Sequence, residues 1–150
     1  MKKMSLGIAL ALIAALAPSC GGGPRSLYVR GVKPMNENDR KESNSVDIRV
    51  YQLRDDARFN QATIEKLWTD DKGALGDDLV AMKAATVFAG SADDKERSVE
   101  LGELPETVRF IGVLALYPKE DDRGARKMIL PKADVGTVLR FTGYHVEREK

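Results

Sequence analysis

The chain is poor in the residues that most site chemistry requires. Its 150 residues include one cysteine, one histidine and one tryptophan, and aromatic side chains make up only 6%. A single cysteine cannot form an internal disulfide, so stability has to come from packing. A Ser-His-Asp arrangement would depend on His145 alone, and no G-x-S-x-G segment accompanies it. His145 itself reads as a surface position near the end of a strand, on the polar side of Tyr144 and Val146. No His/Cys cluster offers zinc ligands. The acidic pairs Asp70-Asp71 and Asp77-Asp78 lack the D-x-D-x-D-G spacing of a calcium loop, and turns and helix caps account for them. Two-carboxylate glycosidase chemistry needs a cleft, of which a small β-domain offers little. Lys+Arg and Asp+Glu balance at 24 against 23, so no basic tract for nucleic acid is present. Nor is there an internal repeat, or an apolar run of the roughly 20 residues that a membrane-spanning helix needs. No catalytic residue, metal ligand, cofactor or small-molecule substrate is assigned, and the chain does not read as an enzyme.

What the N-terminus does contain is organised. Met1-Lys2-Lys3-Met4 is a short basic segment, and Leu6 to Ala17 is uncharged and apolar. That length suits the hydrophobic region of a signal peptide, roughly 7–15 residues. Pro18 stops a helix, and Ser19-Cys20-Gly21-Gly22-Gly23 follows. This order resembles the bacterial lipoprotein signal, in which the cysteine is acylated and becomes the new N-terminus. Leu16 stands one place earlier than in the usual pattern. Residues 1–19 are then the signal peptide, and residues 20–26 the lipidated Cys20 with a Gly-rich tether of at most about 20 Å. Two acyl chains anchor stably at about 0.8 kcal/mol per buried CH₂. Losing Lys2 and Lys3 leaves the remainder slightly acidic, so headgroup attraction is not a main anchor. Gly21, rather than Asp, after the cysteine resembles the outer-membrane sorting rule of enteric bacteria. An incidental thiol behind an ordinary signal, or an uncleaved anchor, are the competing readings of this segment.

Residues 27–150 read as one domain. Ser26 to Val32 is β-rich. Lys33 to Asn44 is polar with almost no apolar content and reads as a long, mobile loop. Ser45 to Leu53 alternates, with Val46, Ile48 and Val50 on one side and Asp47, Arg49 and Tyr51 on the other, and this predicts a half-buried strand. Alternation then stops. Asp55 or Asp56 can cap one short helix and Thr63 a second, with Asp70 to Gly73 as a turn and further helix over Ala74 to Met82. A helical insertion over about 55–82 is therefore expected, with Trp68 plugging helix against sheet. Strand signals resume at Ala84 to Phe88, Arg97 to Leu101, Val108 to Tyr117, Lys127 to Leu130 and Thr137 to Val146. The third is apolar almost throughout, as in a central strand. Many short strands at regular spacing predict a mainly β, two-sheet sandwich.

Several segments follow one another in order: Arg49-Val50-Tyr51-Gln52-Leu53, Asp56-Ala57-Arg58-Phe59, Leu67-Trp68-Thr69-Asp70-Asp71, Leu75-Gly76-Asp77-Asp78-Leu79 and Arg109-Phe110-Ile111-Gly112-Val113. Behind a lipoprotein signal, this set resembles the outer-membrane lipoprotein of the type VI secretion system, the J component of its membrane complex. The resemblance implies a transthyretin-like β-sandwich with a helical insertion. It implies a structural role at the periplasmic face of the outer membrane, where the protein would tether the periplasmic C-terminal region of the large inner-membrane component. It places part of the partner contact on the loop between the first two strands: here Lys33, Pro34, Met35, Asn36, Glu37, Asn38, Asp39, Arg40 and Lys41. A periplasmic ligand- or carbohydrate-binding lipoprotein on the same fold is the alternative. It would need an aromatic-lined concave site, which the low aromatic content disfavours.

Overall fold

The computed structural model describes residues 25–149. The signal segment, Cys20 and the glycines lie outside the described residues. Two sheets face each other. One holds β1 (Arg25–Met35), β4 (Ala89–Gly90), β5 (Arg97–Gly102), β8 (Val138–Gly143) and β9 (His145–Arg148), in the order β4-β1-β8-β9, with β5 also on β1. The other is β3-β2-β6-β7, from β3 (Leu79–Val87), β2 (Val46–Leu53), β6 (Phe110–Ala115) and β7 (Lys127–Pro131). β1 runs parallel to β8, whereas β2 is antiparallel to both β3 and β6. The chain is a mainly β, two-sheet sandwich with a small helical insertion.

The alternation in β2 works as expected on one side. Val46, Ile48 and Val50 enter the core between the sheets, beside Leu27, Val29, Ile111, Val113, Leu139 and Phe141. Gln52 also points inward. Its Nε2 donates to the Leu101 carbonyl at 2.8 Å, so this buried amide bridges the two sheets. The other side of β2 is exposed only at Asp47 and becomes covered toward Leu53. Tyr51 and Leu53 are fully buried in a second core with Phe59, Leu67, Leu75 and Leu114. The cover is the helical insertion: α1 (Ala57–Gln61), α2 (Ile64–Thr69), α3 (Asp71–Leu75) and a 3-10 turn (Gly76–Asp78).

Helices this short do not hold themselves together. Thr63 caps α2 by accepting from the Lys66 N–H, and Asp70 caps α3 by accepting from the Gly73 N–H. The carbonyl ends of α1 and α2 are tied to the sheet. Arg49 Nη1 donates to the carbonyls of Leu67 and Trp68 at 3.1 and 2.9 Å, and Tyr51 Oη donates to the Leu67 carbonyl at 3.1 Å. Lys127 Nζ donates to the carbonyls of Phe59, Asn60 and Ala62 at 2.7–2.9 Å. Trp68 lies 4.2 Å under the Arg49 guanidinium, at the helix–sheet seam.

The structure corrects four expectations. The helical segment ends at Asp78, and Leu79–Met82 belong to β3, because that stretch pairs with Leu53, Gln52 and Tyr51. Asp70 to Gly73 is a helix start, not a free turn. Thr137 to Val146 divides into two antiparallel strands that turn at Gly143, whose φ is 54°. Lys33, Pro34 and Met35 continue β1 and do not belong to a loop, with Met35 fully buried.

Candidate functional site, one end of the sandwich

Strand directions sort the connections into two ends. β1 starts at Arg25 beside Gly102 and rises to Met35, and its parallel neighbour β8 rises to Gly143. β6 rises beside them in the facing sheet and β7 descends. The β1–β2 loop, the β6–β7 connection and the β8–β9 turn therefore meet at the end away from Arg25.

The β1–β2 loop is polar and closed on itself. Asn38 Oδ1 accepts from the backbone N–H groups of Arg40 and Glu42 at 2.9 and 3.0 Å, and Asn38 Nδ2 donates to Glu42 Oε2 at 2.7 Å. Asn44 Nδ2 donates to the carbonyls of Asn36 and Glu42, and Glu37 bridges to Ser43. Asn36 and Lys41 have φ of 46° and 64°, left-handed values that asparagine tolerates better than most residues. Asn38, Asp39, Arg40 and Lys41 are exposed, Asn36 and Glu37 half-buried. Of the residues expected to contact a partner, Lys33 and Pro34 are exposed on β1. Met35 is turned into the core and cannot present its side chain to a partner, because the strand runs three residues further than its composition suggests.

Beside this loop is a cluster that composition alone did not reveal. His145 is buried, with only 5% of its side chain exposed, and its Nδ1 lies 2.9 Å from Asp121 Oδ2. This overturns the surface reading: the hairpin turn at Gly143 carries His145 inward, and Gly124 lies against its ring with no room for a Cβ. Asp121 Oδ2 also accepts from the Tyr144 N–H at 3.1 Å, and Arg123 Nε and Nη2 close on both carboxylate oxygens at 3.0 Å. The Arg123 side chain, then the N–H groups of Arg123 and Tyr144 and the His145 ring, hold the Asp121 carboxyl well below the usual carboxylate range. The same contact raises the Arg123 guanidinium. Beneath them Tyr117 donates to the His145 carbonyl at 3.3 Å, and burial pushes its phenol up. The turn signal over Asp121 to Gly124 and the lone His145 two residues after a glycine were both visible in the chain. Their meeting was not.

This end is a shaped, polar surface. Among the described residues, no group of three or more His, Cys, Asp or Glu side chains is placed to hold a metal. Tyr51, Phe59, Tyr117 and Phe141 are packed inside. A hollow of about 540 Å³ beside β3, lined by Asp71, Leu79 and Met82 among others, contains no aromatic ring.

Curated proteins give no significant sequence match. Solved structures do. A chain in the structure titled "T6SS protein TssM C-terminal domain (869-1107) from EAEC" superposes with a TM-score of 0.70 at 20% identity, over 85% of this chain and 98% of that one. Serratia marcescens Lip, described as a membrane bound component of the type VI secretion system, gives 0.70 at 21% identity with the same coverage. The T6SS lipoprotein TssJ1 from Pseudomonas aeruginosa gives 0.65 at 23%, again over 85% and 98%. At these identities the likeness establishes the fold. The family follows from the sequence: the model of the type VI secretion lipoproteins (T6SS-SciN; VasD, EvfM, TssJ) matches residues 25–145, nearly the whole sandwich, and the chain belongs to that family.

Proposed function

We propose that the protein is a structural tether of the type VI secretion membrane complex. It is held in the outer membrane by acyl chains on Cys20 and binds, from the periplasmic side, the C-terminal region of the large inner-membrane component. The observation that carries this reading is polarity. The chain enters the sandwich at Arg25, and the β1–β2 loop opens at the other end of the same strand. Eleven residues of β1 at about 3.3 Å each set the two roughly 33 Å apart. An anchor at one pole and a closed polar loop at the other suit a strut that joins a bilayer to a protein. The titled likeness to a structure of a TssM C-terminal domain supports the choice of partner.

The contact would fall on the exposed loop residues Asn38, Asp39, Arg40 and Lys41, with Lys33 and Pro34 beside them and Asn36 and Glu37 shaping the backbone. Mature lipoprotein in mild detergent, titrated with the purified periplasmic C-terminal region of the inner-membrane component, should bind it. The double variant Arg40→Glu/Lys41→Glu, which leaves the Asn38 and Asn44 bonds in place, should bind at least about ten-fold more weakly. Absence of binding by the unaltered protein would overturn the tether reading. Unchanged affinity in the variant would move the contact off this loop.

A further inference from the structure

Resting on that reading, we infer that Tyr144 is a positioning residue for the β1–β2 loop, and that Asp121 holds it for that task. Residues 36–45 make most of their hydrogen bonds with each other or with their own flanking strands. Among the described residues, two bonds tie them to anything else. Tyr144 Oη donates to the Glu37 carbonyl at 2.8 Å, and the Asn36 N–H donates to the Gly143 carbonyl at 2.8 Å. Both come from the β8–β9 turn at Gly143 and Tyr144. The turn is itself clamped. The Tyr144 N–H is held by Asp121, Asp121 by Arg123 and His145, and the Tyr144 ring stands edge-on to Tyr117 with centroids 6.1 Å apart. Lys119 Nζ lies 5.7 Å over the same ring. A rigid line of contacts therefore runs from the β6–β7 connection through the turn into the backbone of the loop. Asn36 and Lys41 in left-handed conformations give the loop nearby alternatives once that line is cut.

A loop that is in its binding shape only part of the time binds in proportion to that fraction. Cutting the line should then slow association and leave dissociation almost unchanged. Tyr144→Phe removes one hydroxyl and keeps the ring on Tyr117. The expected results are faster hydrogen exchange confined to residues 36–44, a melting temperature close to that of the unaltered protein, and about three- to ten-fold weaker binding to the partner region, mainly through association rate. Asp121→Asn, which weakens the clamp without touching the loop, should change the same amides in the same direction. Unchanged loop exchange in Tyr144→Phe would overturn the inference. So would, in that same Tyr144→Phe variant, faster exchange with unaltered affinity, or exchange raised throughout both sheets. Because Arg40→Glu/Lys41→Glu tests the loop as a contact, its weakening beside a normal Tyr144→Phe would leave the tether reading standing and remove this one.

Discussion

Gly112→Ala is the sharpest test of how the helical insertion is seated. Gly112 lies in β6 between Tyr51 and Ile129 and faces out of the sandwich, under α1. A Cβ there would lie 2.8 and 3.0 Å from Cε2 and Cδ2 of Phe59 and 3.1 Å from Leu53 Cδ1. Relaxed carbon contacts are about 3.5–4.0 Å, so the ring must retreat by close to 1 Å. It has little room. Phe59 is buried, its ring is 5.7 Å from that of Tyr51, and Lys127 lies 5.6 Å over it while bonded to three carbonyls at the end of α1. Overpacking of this kind costs about 1–3 kcal/mol, and a glycine-to-alanine change within a strand returns about 0.5–1 kcal/mol of backbone entropy. The net expectation is a loss of about 1–2 kcal/mol, or a fall of about 4–8 °C in melting temperature for a domain of this size. Thermal unfolding followed by circular dichroism measures it. Adding Phe59→Leu should make the pair less destabilised than the sum of the two single changes, by about 1 kcal/mol. A Gly112→Ala protein as stable as the parent, or more so, would refute the argument that α1 is locked onto the sheet through this glycine.

Three further outcomes are expected. Cys20→Ser should move the protein from the membrane pellet to the soluble periplasmic fraction, and continued sedimentation with membranes would refute lipid anchoring at that residue. Lys83→Val should promote self-association by analytical ultracentrifugation, because β3 is a nine-residue sheet edge on which Lys83, opposite Val50, is the lone charge and points to the inner side. A variant as monomeric as the parent would show that Lys83 does not guard the edge. Asp121→Asn should destabilise the domain in a pH-dependent way. The Asp121 carboxyl titrates lower when folded than when unfolded, so its contribution is complete above the ordinary carboxylate range and shrinks as pH falls below about 4. The gap in stability between parent and variant should narrow on acidification, and a gap that stays constant or widens would exclude Asp121 as its source.

Elements that depend on nearest neighbours were legible in the chain. The alternation of Val46, Ile48 and Val50 marks β2, and Thr63 marks the start of α2, because a strand face and a helix cap are set within a few residues. The continuous apolar content of β6 follows from its position between β2 and β7. Elements that depend on a distant partner were not legible. Leu79–Met82 suit a helix as well as a strand, and pairing with β2 decided between them. Met35 lies near the start of a polar-looking stretch and is buried, because β1 continues to its pairing with Gly143 of β8. His145 sits among polar and aromatic neighbours in the chain, and its burial depends on Asp121, 24 positions away.

The sequence by itself determined a mainly β sandwich, a helical insertion after β2 and the family to which the chain belongs, since periodicity, caps and ordered segments are properties of the chain alone. The tertiary structure decided that both sides of β2 would be covered, where the β1–β2 loop begins and what holds it. Those outcomes depend on groups far apart in sequence, Tyr51 with Leu67, Glu37 with Tyr144, and Asp121 with His145. Their energies exist only once folding has brought the atoms within hydrogen-bonding distance and taken them out of water.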